Sequence, residues 1–349
     1  MLNCEYEHNL YRKIKKGLYE IYGEVPNIFV KQRLKEEWIR FRQSGVLLTI
    51  ALLNDVIDRL KLMDINYSSR YSCNASLILY LLGITRINPL PPHYNCPVCH
   101  TVIWDKFSKC SLDLQKNKLC KFDESVMEID GFDIPWQPWF LNEENTFNVS
   151  LKVKDFDELI RILKELEVEY ISGYEKYGGG KCKIIKTNNI VFWFNLSDKL
   201  ESLEPKLEDF DLERSLIKTR EYVQKVMPEL KVEITSFADI IAFVGVLRSS
   251  YINNSKLVAL INILKAKPSE IIACREDLYK YYINNGSDES EAVKEMNNVR
   301  KGIHKSSILS IAQKNTIKDK WVISLCEDVL YLPSKTEIIE DIVFLPNEL

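Results

Sequence analysis

Three cysteines and one aspartate have the spacing of a structural zinc site. Cys96 and Cys99 are separated by two residues, and Cys120 and Asp123 repeat this spacing further along the chain. A C-x2-C pair lets one tight turn direct two thiolates at one metal ion, and zinc also accepts a carboxylate ligand. The sequence therefore predicts a structural zinc site formed by these four side chains. Spare candidate ligands are Cys110, His93 and His100.

The alternative interpretation is a decayed site, in which the cysteines pack as small hydrophobic side chains. A catalytic zinc is disfavoured, because no residue nearby suits the role of general base for a metal-bound water. Pro89, Pro91 and Pro92 lead into this segment and exclude a regular helix there.

The composition is that of an ordinary globular protein. The 349 residues are 46% hydrophobic and 28% charged, with a formal net charge of −3. This charge argues against a strongly basic coat protein but not against a local basic groove. Nine cysteines and a polar N-terminal sequence predict a reducing, cytoplasmic location. The most apolar stretch is interrupted by Asn54, Asp55 and Asp58, so no membrane span is expected.

The apolar pattern predicts the elements that position these residues. Helical spacing predicts helices over residues 6–22, from Pro26 to Gly45, over 46–63 and over 76–82. Alternation predicts strands in NVSLKV, VEYIS, KCKIIK and NIVFWF, with the helix DFDELIRILKEL after the first of them. From residue 214 onward the pattern is helical almost to the end.

The expected fold class is α+β, mostly helical, with a zinc-knuckle-like insertion and a small central mixed sheet. Residues 1–92 are assigned to a helical N-terminal part and residues 93–140 to the cysteine module. Residues 141–200 are assigned to a small α/β unit and residues 201–349 to a helical domain.

The string ITRINPLPPHYNCPVCH resembles the palm region of PolC-type bacterial DNA polymerase III. In that family a similar N-P-L-P-P-H-Y is followed by C-P-x-C, by C-P-x-C-G and by a D-G-x-D-I-P-F segment. Here the second half reads CKFD and then IDGFDIPW, which places Asp123 at the family's fourth cysteine. YEIYGEVPNIFVKQRLKEEW resembles the start of the family's palm, and residues 271–302 resemble its fingers. The resemblance covers more than half of the chain and implies a palm- and fingers-derived fold.

The family's phosphate-binding loop is altered in this chain. The family has G-S-R-G-S-x-G-S-S, whereas residues 68–76 read SSRYSCNAS. Glycine lets backbone N–H groups close around phosphate oxygens, so Tyr71 at a glycine position is hard to reconcile with nucleotide binding. The resemblance leaves three candidate nucleotide- or DNA-binding residues in this loop: Ser69, Arg70 and Ser72.

The family's catalytic carboxylates have weak counterparts. The resemblance implies a D-x-D strand motif and a third aspartate on a later strand, which together hold two Mg²⁺ ions. Asp155 and Asp157 form a D-x-D at the corresponding place, but between an expected strand and an expected helix, where aspartate commonly caps the helix. A loose alignment puts Asn195 at the third position.

A basic cluster near the C-terminal end of the fingers-like segment is a candidate DNA-binding face. An ordinary solvated helix end is the alternative. The string CRED at residues 274–277, which is part of the resemblance to the family's fingers, adds one arginine. The candidate DNA-binding residues of this segment are Arg275, Lys294, Arg300, Lys301 and Lys305.

Three functional hypotheses remain. The first is a truncated, catalytically degenerate member of this family that binds DNA or a replication or defence protein. The second is an active minimal or split DNA-directed DNA polymerase that uses Asp155, Asp157 and Mg²⁺. The third is a structural protein-interaction subunit without nucleic-acid binding, which predicts no salt-sensitive binding of DNA. None of the three involves a membrane.

Overall fold

The first part of the chain contains helices and a mixed sheet, and helices pack on one another in the second part. The computed structural model describes residues 2–70, 74–136, 149–177, 180–187, 190–195, 207, 210–248, 258, 261–262, 271–300 and 332–344. The chain divides into two units, Met1–Glu204 and Pro205–Leu349.

The first unit begins with helices at the places where apolar residues recur with helical spacing. They are α1 (Leu2–Tyr22), α2 (Ile28–Gln43), α3 (Leu47–Leu62) and α4 (Leu77–Leu81). Asn27 caps α2 by accepting a hydrogen bond from the backbone N–H of Phe29, and Ser76 caps α4 in the same way from Leu79. Gly17 allows α1 and α4 to approach closely, because a Cβ there would lie 2.0 Å from the Leu81 carbonyl oxygen.

A strand and a small antiparallel sheet follow in the chain. Strand β1 (Tyr67–Arg70) lies between α3 and α4, in a stretch for which the sequence analysis predicts no strand. The cysteine module contains β2 (His93–Asn95), β3 (Val102–Trp104) and β4 (Glu128–Asp130). These three strands form an antiparallel sheet in the order β3-β2-β4.

The larger sheet has five strands in the order β1-β5-β8-β7-β6. The other members are β5 (Val149–Val153), β6 (Ile171–Tyr177), β7 (Gly180–Thr187) and β8 (Ile190–Asn195). Strands β5 and β8 are parallel, and all other neighbours are antiparallel. Helix α5 (Phe156–Glu165) follows β5. One face of the sheet is buried through alternate residues such as Leu151, Ile185 and Phe192.

Helices are the only regular secondary structure among the described residues of the second unit. Its helices are α6 (Leu212–Val226), α7 (Phe237–Arg248), α8 (Arg275–Asn284), α9 (Glu289–Arg300) and α10 (Lys335–Ile339), and a π-helical turn (Glu340–Phe344) follows the last of them. Helix α7 is apolar nearly all round and is buried among its neighbours. Gly245 allows this, because a Cβ there would lie 2.5 Å from the Ala273 carbonyl oxygen.

This architecture of helices with one mixed and one antiparallel sheet fits the predicted α+β class. Within the part of the chain that the structure describes, no helix has the length and apolar character needed to cross a membrane.

Candidate metal centre

The four side chains named from spacing come together at one end of the small sheet. The thiol sulfurs of Cys96, Cys99 and Cys120 and a carboxylate oxygen of Asp123 all lie within 4.8 Å of one another. The Cys99 and Cys120 sulfurs are 3.5 Å apart, and Cys96 Sγ is 3.2 Å from Asp123 Oδ2. Tetrahedral ligands with zinc bonds of about 2.0–2.3 Å lie roughly 3.3–3.8 Å apart, so this geometry suits one small metal ion.

The first pair of ligands lies on a tight turn. The Cys96 N–H donates to the Thr101 carbonyl at 3.0 Å, and the His100 N–H donates to the Cys96 carbonyl at 3.0 Å. His100 adopts a left-handed conformation with φ 56°. The backbone N–H groups of Val98 and Cys99 point at Cys96 Sγ, at 3.4 and 3.3 Å, where they would stabilise a thiolate.

The second pair lies on a turn of the same construction. The Cys120 N–H donates to the Ser125 carbonyl at 2.8 Å, and the Glu124 N–H donates to the Cys120 carbonyl at 3.1 Å. Glu124 has φ 58°, and the Phe122 N–H points at Cys120 Sγ at 3.5 Å. The two turns therefore present two matched pairs of ligands to one point, although one pair ends in a carboxylate.

Two hydroxyl groups orient the ligands. Thr101 Oγ1 is 3.1 Å from Cys99 Sγ. Ser125 Oγ donates to Asp123 Oδ1 at 2.5 Å and lies 3.1 Å from Cys96 Sγ. Groups that contact metal ligands in this way fix their orientation and tune their basicity. The sequence analysis missed both hydroxyls, although each follows the first cysteine of its turn by five residues.

The ionisation of the cluster is shaped by the same contacts. The Ser125 hydroxyl and the Cys99 thiol hold the pKa of Asp123 well below its usual range. Burial alone would raise the pKa of Cys96, but the Ser125 hydroxyl and the backbone N–H groups outweigh it and lower that pKa. The Thr101 hydroxyl lowers the pKa of Cys99, yet desolvation and the neighbouring Asp123 and Cys96 bring it to about 11. Metal binding would therefore release protons, because thiolates are the ligands.

The module is anchored to the helices by buried hydrogen bonds. Asp130 on β4 accepts from the Tyr80 hydroxyl at 2.7 Å and from Asn88 Nδ2 at 2.6 Å. Asn95 on β2 donates to the Ile21 carbonyl at the end of α1, at 2.7 Å. The position of the ligands is thus tied to the helical layer of the first unit.

The spare ligand candidates are engaged elsewhere. His93 Nδ1 is 2.7 Å from the Pro91 carbonyl oxygen, and His100 Nδ1 is 3.1 Å from that of Ile21. Cys110 is buried and directly precedes a 3-10 turn of residues Ser111–Asp113. Within the described chain, none of the three joins the metal-ligand group.

The D-x-D segment lies where a helix begins. Asp155 is the N-cap of α5 and accepts hydrogen bonds from the backbone N–H groups of Asp157 and Glu158, at 3.1 and 3.0 Å. The Asp157 side chain is 93% exposed and lies 3.4 Å from Lys183 Nζ. Neither aspartate belongs to a group of three potential metal ligands among the described residues. Asn195 ends β8, and its side chain lies outside the described part.

The counterpart of the phosphate loop is partly built into the sheet. Ser69 lies on β1 with 4% of its surface exposed, and its carbonyl accepts a hydrogen bond from Asn74 Nδ2 at 3.0 Å. The Asn74 side chain is itself buried, at a position where the family has glycine. Arg70 ends β1, but its side chain and Ser72 lie outside the described residues.

The basic candidates of the second unit do not form one described cluster. Arg275 begins α8 and contacts Glu276, with Nε 3.2 Å from Oε1. Lys294 is exposed on α9. The side chain of Arg300, and Lys301 and Lys305 entirely, lie outside the described part of the chain.

The described residues thus form an α+β protein with helices, a mixed sheet and a cysteine module whose three cysteines and one aspartate could hold a metal ion. Residues 8–230 match the family described as the bacterial DNA polymerase III alpha NTPase domain, and the chain belongs to this family.

The relatives of this chain are PolC-type DNA polymerase III proteins. That of Thermotoga petrophila is 22% identical over 93% of this chain and 32% of its own length. The proteins of Caldanaerobacter subterraneus and Lacticaseibacillus paracasei are 32% and 31% identical over 38% of this chain and 9% of their own. The chain therefore spans about a third of the Thermotoga relative and less of the other two.

Proposed function

We propose that this chain is a catalytically degenerate DNA polymerase III relative that acts by binding DNA. The alternative binding partner is a replication or defence protein. The names of its relatives support an origin in DNA synthesis, and the palm- and fingers-like segments support a DNA-facing surface.

The observation that carries this proposal is that Asp155 serves as a helix cap. Its carboxylate already accepts two backbone hydrogen bonds as the cap of α5. The neighbouring parallel strands β5 and β8 read VSLKV and IVFWFN, without any aspartate or glutamate. Nucleotidyl transfer by two metal ions needs several carboxylates around them. Strands β5 and β8 therefore lack the acidic side chains that the resemblance leads us to expect there.

The altered phosphate loop supports the same proposal. Asn74 closes onto the Ser69 carbonyl with its amide, so a side chain fills space that glycine would leave open. A loop braced in this way is less suited to wrap its backbone around a triphosphate.

We further propose that the metal-ligand group holds a structural zinc ion. Three thiolates and a carboxylate form a closed set of four ligands, which is typical of structural rather than catalytic zinc. Magnesium is required only by the polymerase alternative.

The test combines DNA binding with primer extension. Fluorescence anisotropy with labelled primer–template, single-stranded and duplex DNA should show affinity that falls steeply between about 50 and 200 mM salt. Primer extension with Mg²⁺ and all four deoxynucleotides should yield no product.

Substitution of Asp155 by asparagine distinguishes a catalytic carboxylate from a helix cap. Asparagine caps helices as well as aspartate does but lacks the negative charge. Nucleotide incorporation that disappears in Asp155→Asn or Asp157→Asn would establish the polymerase alternative and end this proposal. Absence of DNA binding at low salt would favour the structural protein-interaction hypothesis.

A further inference from the structure

Helices α1 and α2 form an antiparallel pair with one outward seam. The rings of Tyr11 and Trp38 lie 5.2 Å apart, and Arg42 Nε lies 3.4 Å from Glu7. Glu7 contacts Arg42 and, one turn further along α1, Tyr11 contacts Trp38, so the two helices run in opposite directions. Helical spacing continues these two contacts into one row on each helix. These rows define the α1–α2 seam: Tyr11, Lys15 and Tyr19 on α1, and Lys31, Lys35, Trp38 and Arg42 on α2.

The seam residues follow helical spacing on both helices. Tyr11, Lys15 and Tyr19 are four residues apart and therefore lie in one row along α1, about 6 Å per step. Lys31 and Lys35 form the matching row on α2. Lys15 Nζ is 5.1 Å from the centre of the Tyr11 ring, so cation and aromatic surface are adjacent. All five of these side chains are exposed.

The cations of the seam differ from those that serve the fold. Lys13, on the side of α1 that faces α3, contacts Asp55 at 2.9 Å and Asp58 at 2.8 Å. By contrast, within the described part of the chain, neither Lys31 nor Lys35 has a carboxylate within 4.0 Å.

The acidic side chains of the pair do not neutralise the seam. Glu7 is paired with Arg42, and Glu20 is paired with Lys16 at 3.7 Å, so neither of these two carboxylates is paired with a seam lysine. Glu36 is one residue from Lys35 and thus points about 100° away around the helix axis. The seam keeps excess positive charge although the whole chain carries −3.

We propose that this α1–α2 seam binds the phosphate backbone of DNA, with Lys15, Lys31 and Lys35 as phosphate contacts. Exposed Tyr19 offers a stacking surface for unpaired bases. Aromatic rings interleaved with lysines favour nucleic acid over an acidic protein, which would use the charges alone. The proposal rests on the proposed function, because it names the surface by which the chain binds DNA.

The test uses the full chain and a charge-matched control. The seam variant carries Lys15→Gln, Lys31→Gln and Lys35→Gln. The control carries Lys164→Gln, Lys218→Gln and Lys225→Gln, which are exposed lysines on α5 and α6. Circular dichroism and thermal unfolding establish that both variants fold. Binding of labelled duplex and single-stranded DNA is then measured by anisotropy across a salt series.

We expect the seam variant to lose at least about tenfold in affinity at low salt, while the control stays within about twofold. Each phosphate contact contributes about 0.7–0.9 to the slope of log affinity against log salt. Loss of the three lysines should therefore make this slope shallower by roughly two units or slightly more. Tyr19→Leu should weaken binding of single-stranded DNA about fivefold or more and leave duplex binding unchanged.

Equal affinity and slope for the seam variant and the wild type would overturn this inference while the proposed function stands. An equal loss in seam and control variants would also overturn it, because net charge would then explain the effect. Competition by poly-glutamate as effective as that by DNA would identify an acidic protein surface instead. Absence of DNA binding by the wild-type chain would remove both proposals.

Discussion

Asp155 caps a helix, and the resemblance of the sequence predicts a metal-binding D-x-D motif at this place. Two hydrogen bonds from the first turn of α5 use one oxygen of its carboxylate. An N-cap contributes about 1 kcal/mol to stability, and asparagine and aspartate are about equally good caps. We therefore expect Asp155→Ala to lower the free energy of unfolding by about 1 kcal/mol. Urea denaturation measures this, and equal stability of Asp155→Ala and Asp155→Asn would contradict the cap.

Glu37 is a fully buried carboxylate that joins α2 to the start of α4. It accepts hydrogen bonds from the Ser76 hydroxyl and from the backbone N–H groups of Leu77 and Ile78, at 2.8–3.0 Å. Arg33 contacts it at 2.5 Å. Breaking a buried pair costs about 3–5 kcal/mol, because the remaining charge is left without compensation. We expect this loss of unfolding free energy for Glu37→Ala, with exposed Glu36→Ala as the matched control in the same denaturation experiment.

His93 gives the first unit a dependence on pH. Burial lowers its pKa below 6.5, although nearby Asp130 partly opposes this. Its Nδ1 donates to the Pro91 carbonyl, so Nε2 is left to accept from the Tyr22 hydroxyl at 3.4 Å. The unfolded chain takes up a proton at higher pH than the folded chain, so stability is lost as pH falls below about 6.5.

We expect the urea midpoint of the wild type to fall between pH 7.5 and 5.5 by more than that of His93→Asn. The difference between the two proteins isolates the histidine from the carboxylates, which titrate in both. Parallel pH profiles would exclude this role of His93.

At the scale of elements, two five-residue helices depend on a glutamate from another helix. Glu37 receives the first N–H groups of α4, and Glu276 receives the Lys335 N–H of α10 at 2.7 Å. Ser76 and Ser334 donate their hydroxyls to the same carboxylates. Helices this short are unstable alone, and their free N–H groups need partners when buried. The buried carboxylate therefore determines where each short helix can form.

The two turns that present the metal-ligand group differ in one ligand, and this ligand should affect the affinity for zinc. Asp123 supplies an oxygen where a matched turn would supply a sulfur. We expect Asp123→Cys to bind zinc more tightly than the wild type, because zinc pairs well with thiolate ligands. Asp123→Ala, with three ligands, should bind it more weakly. Competition with a chromogenic chelator measures both.

Removal of the metal should also destabilise the first unit, since binding energy at a structural site contributes to folding. We expect a chelator to lower the thermal midpoint of the wild type and to have little effect on Cys120→Ser. A wild-type protein that contains no zinc after expression in zinc-supplemented medium would contradict the proposed site.

At the scale of the whole molecule, the chain divides after Glu204 into two units with their own buried residues. The first contains both sheets and the metal-ligand group, and the second contains the C-R-E-D segment on α8. We expect residues 1–204, expressed alone, to unfold in one cooperative transition by calorimetry. A shorter fragment of residues 74–204 should not, because it lacks β1, which pairs with β5, and α3, which contacts α5. Cooperative unfolding of both fragments would contradict this division.

The sequence alone determined the local features. Helical periodicity located α1 to α5 within a few residues, and alternation located β5, β7 and β8. The strand predicted at VEYIS shares only residues 171–172 with β6. The C-x2-C and C-x2-D spacings named the four side chains that converge, because each turn is a local structure of about six residues. The cap at Asp155 was likewise readable, since its partners are the next residues in the chain.

Only the tertiary structure decided the contacts between distant segments. Strand β1 joins the sheet because β5 offers it a free edge, and nothing in its four residues predicts this pairing. The buried contact of Glu37 with Ser76, that of His93 with Tyr22 and that of His100 with Ile21 join residues 39 or more positions apart. The pairing of Lys13 by α3, while Lys31 and Lys35 have no carboxylate partner among the described residues, follows from how the helices pack. Local spacing fixes which side chains share a turn or a row, whereas packing decides which charges are neutralised and which face solvent.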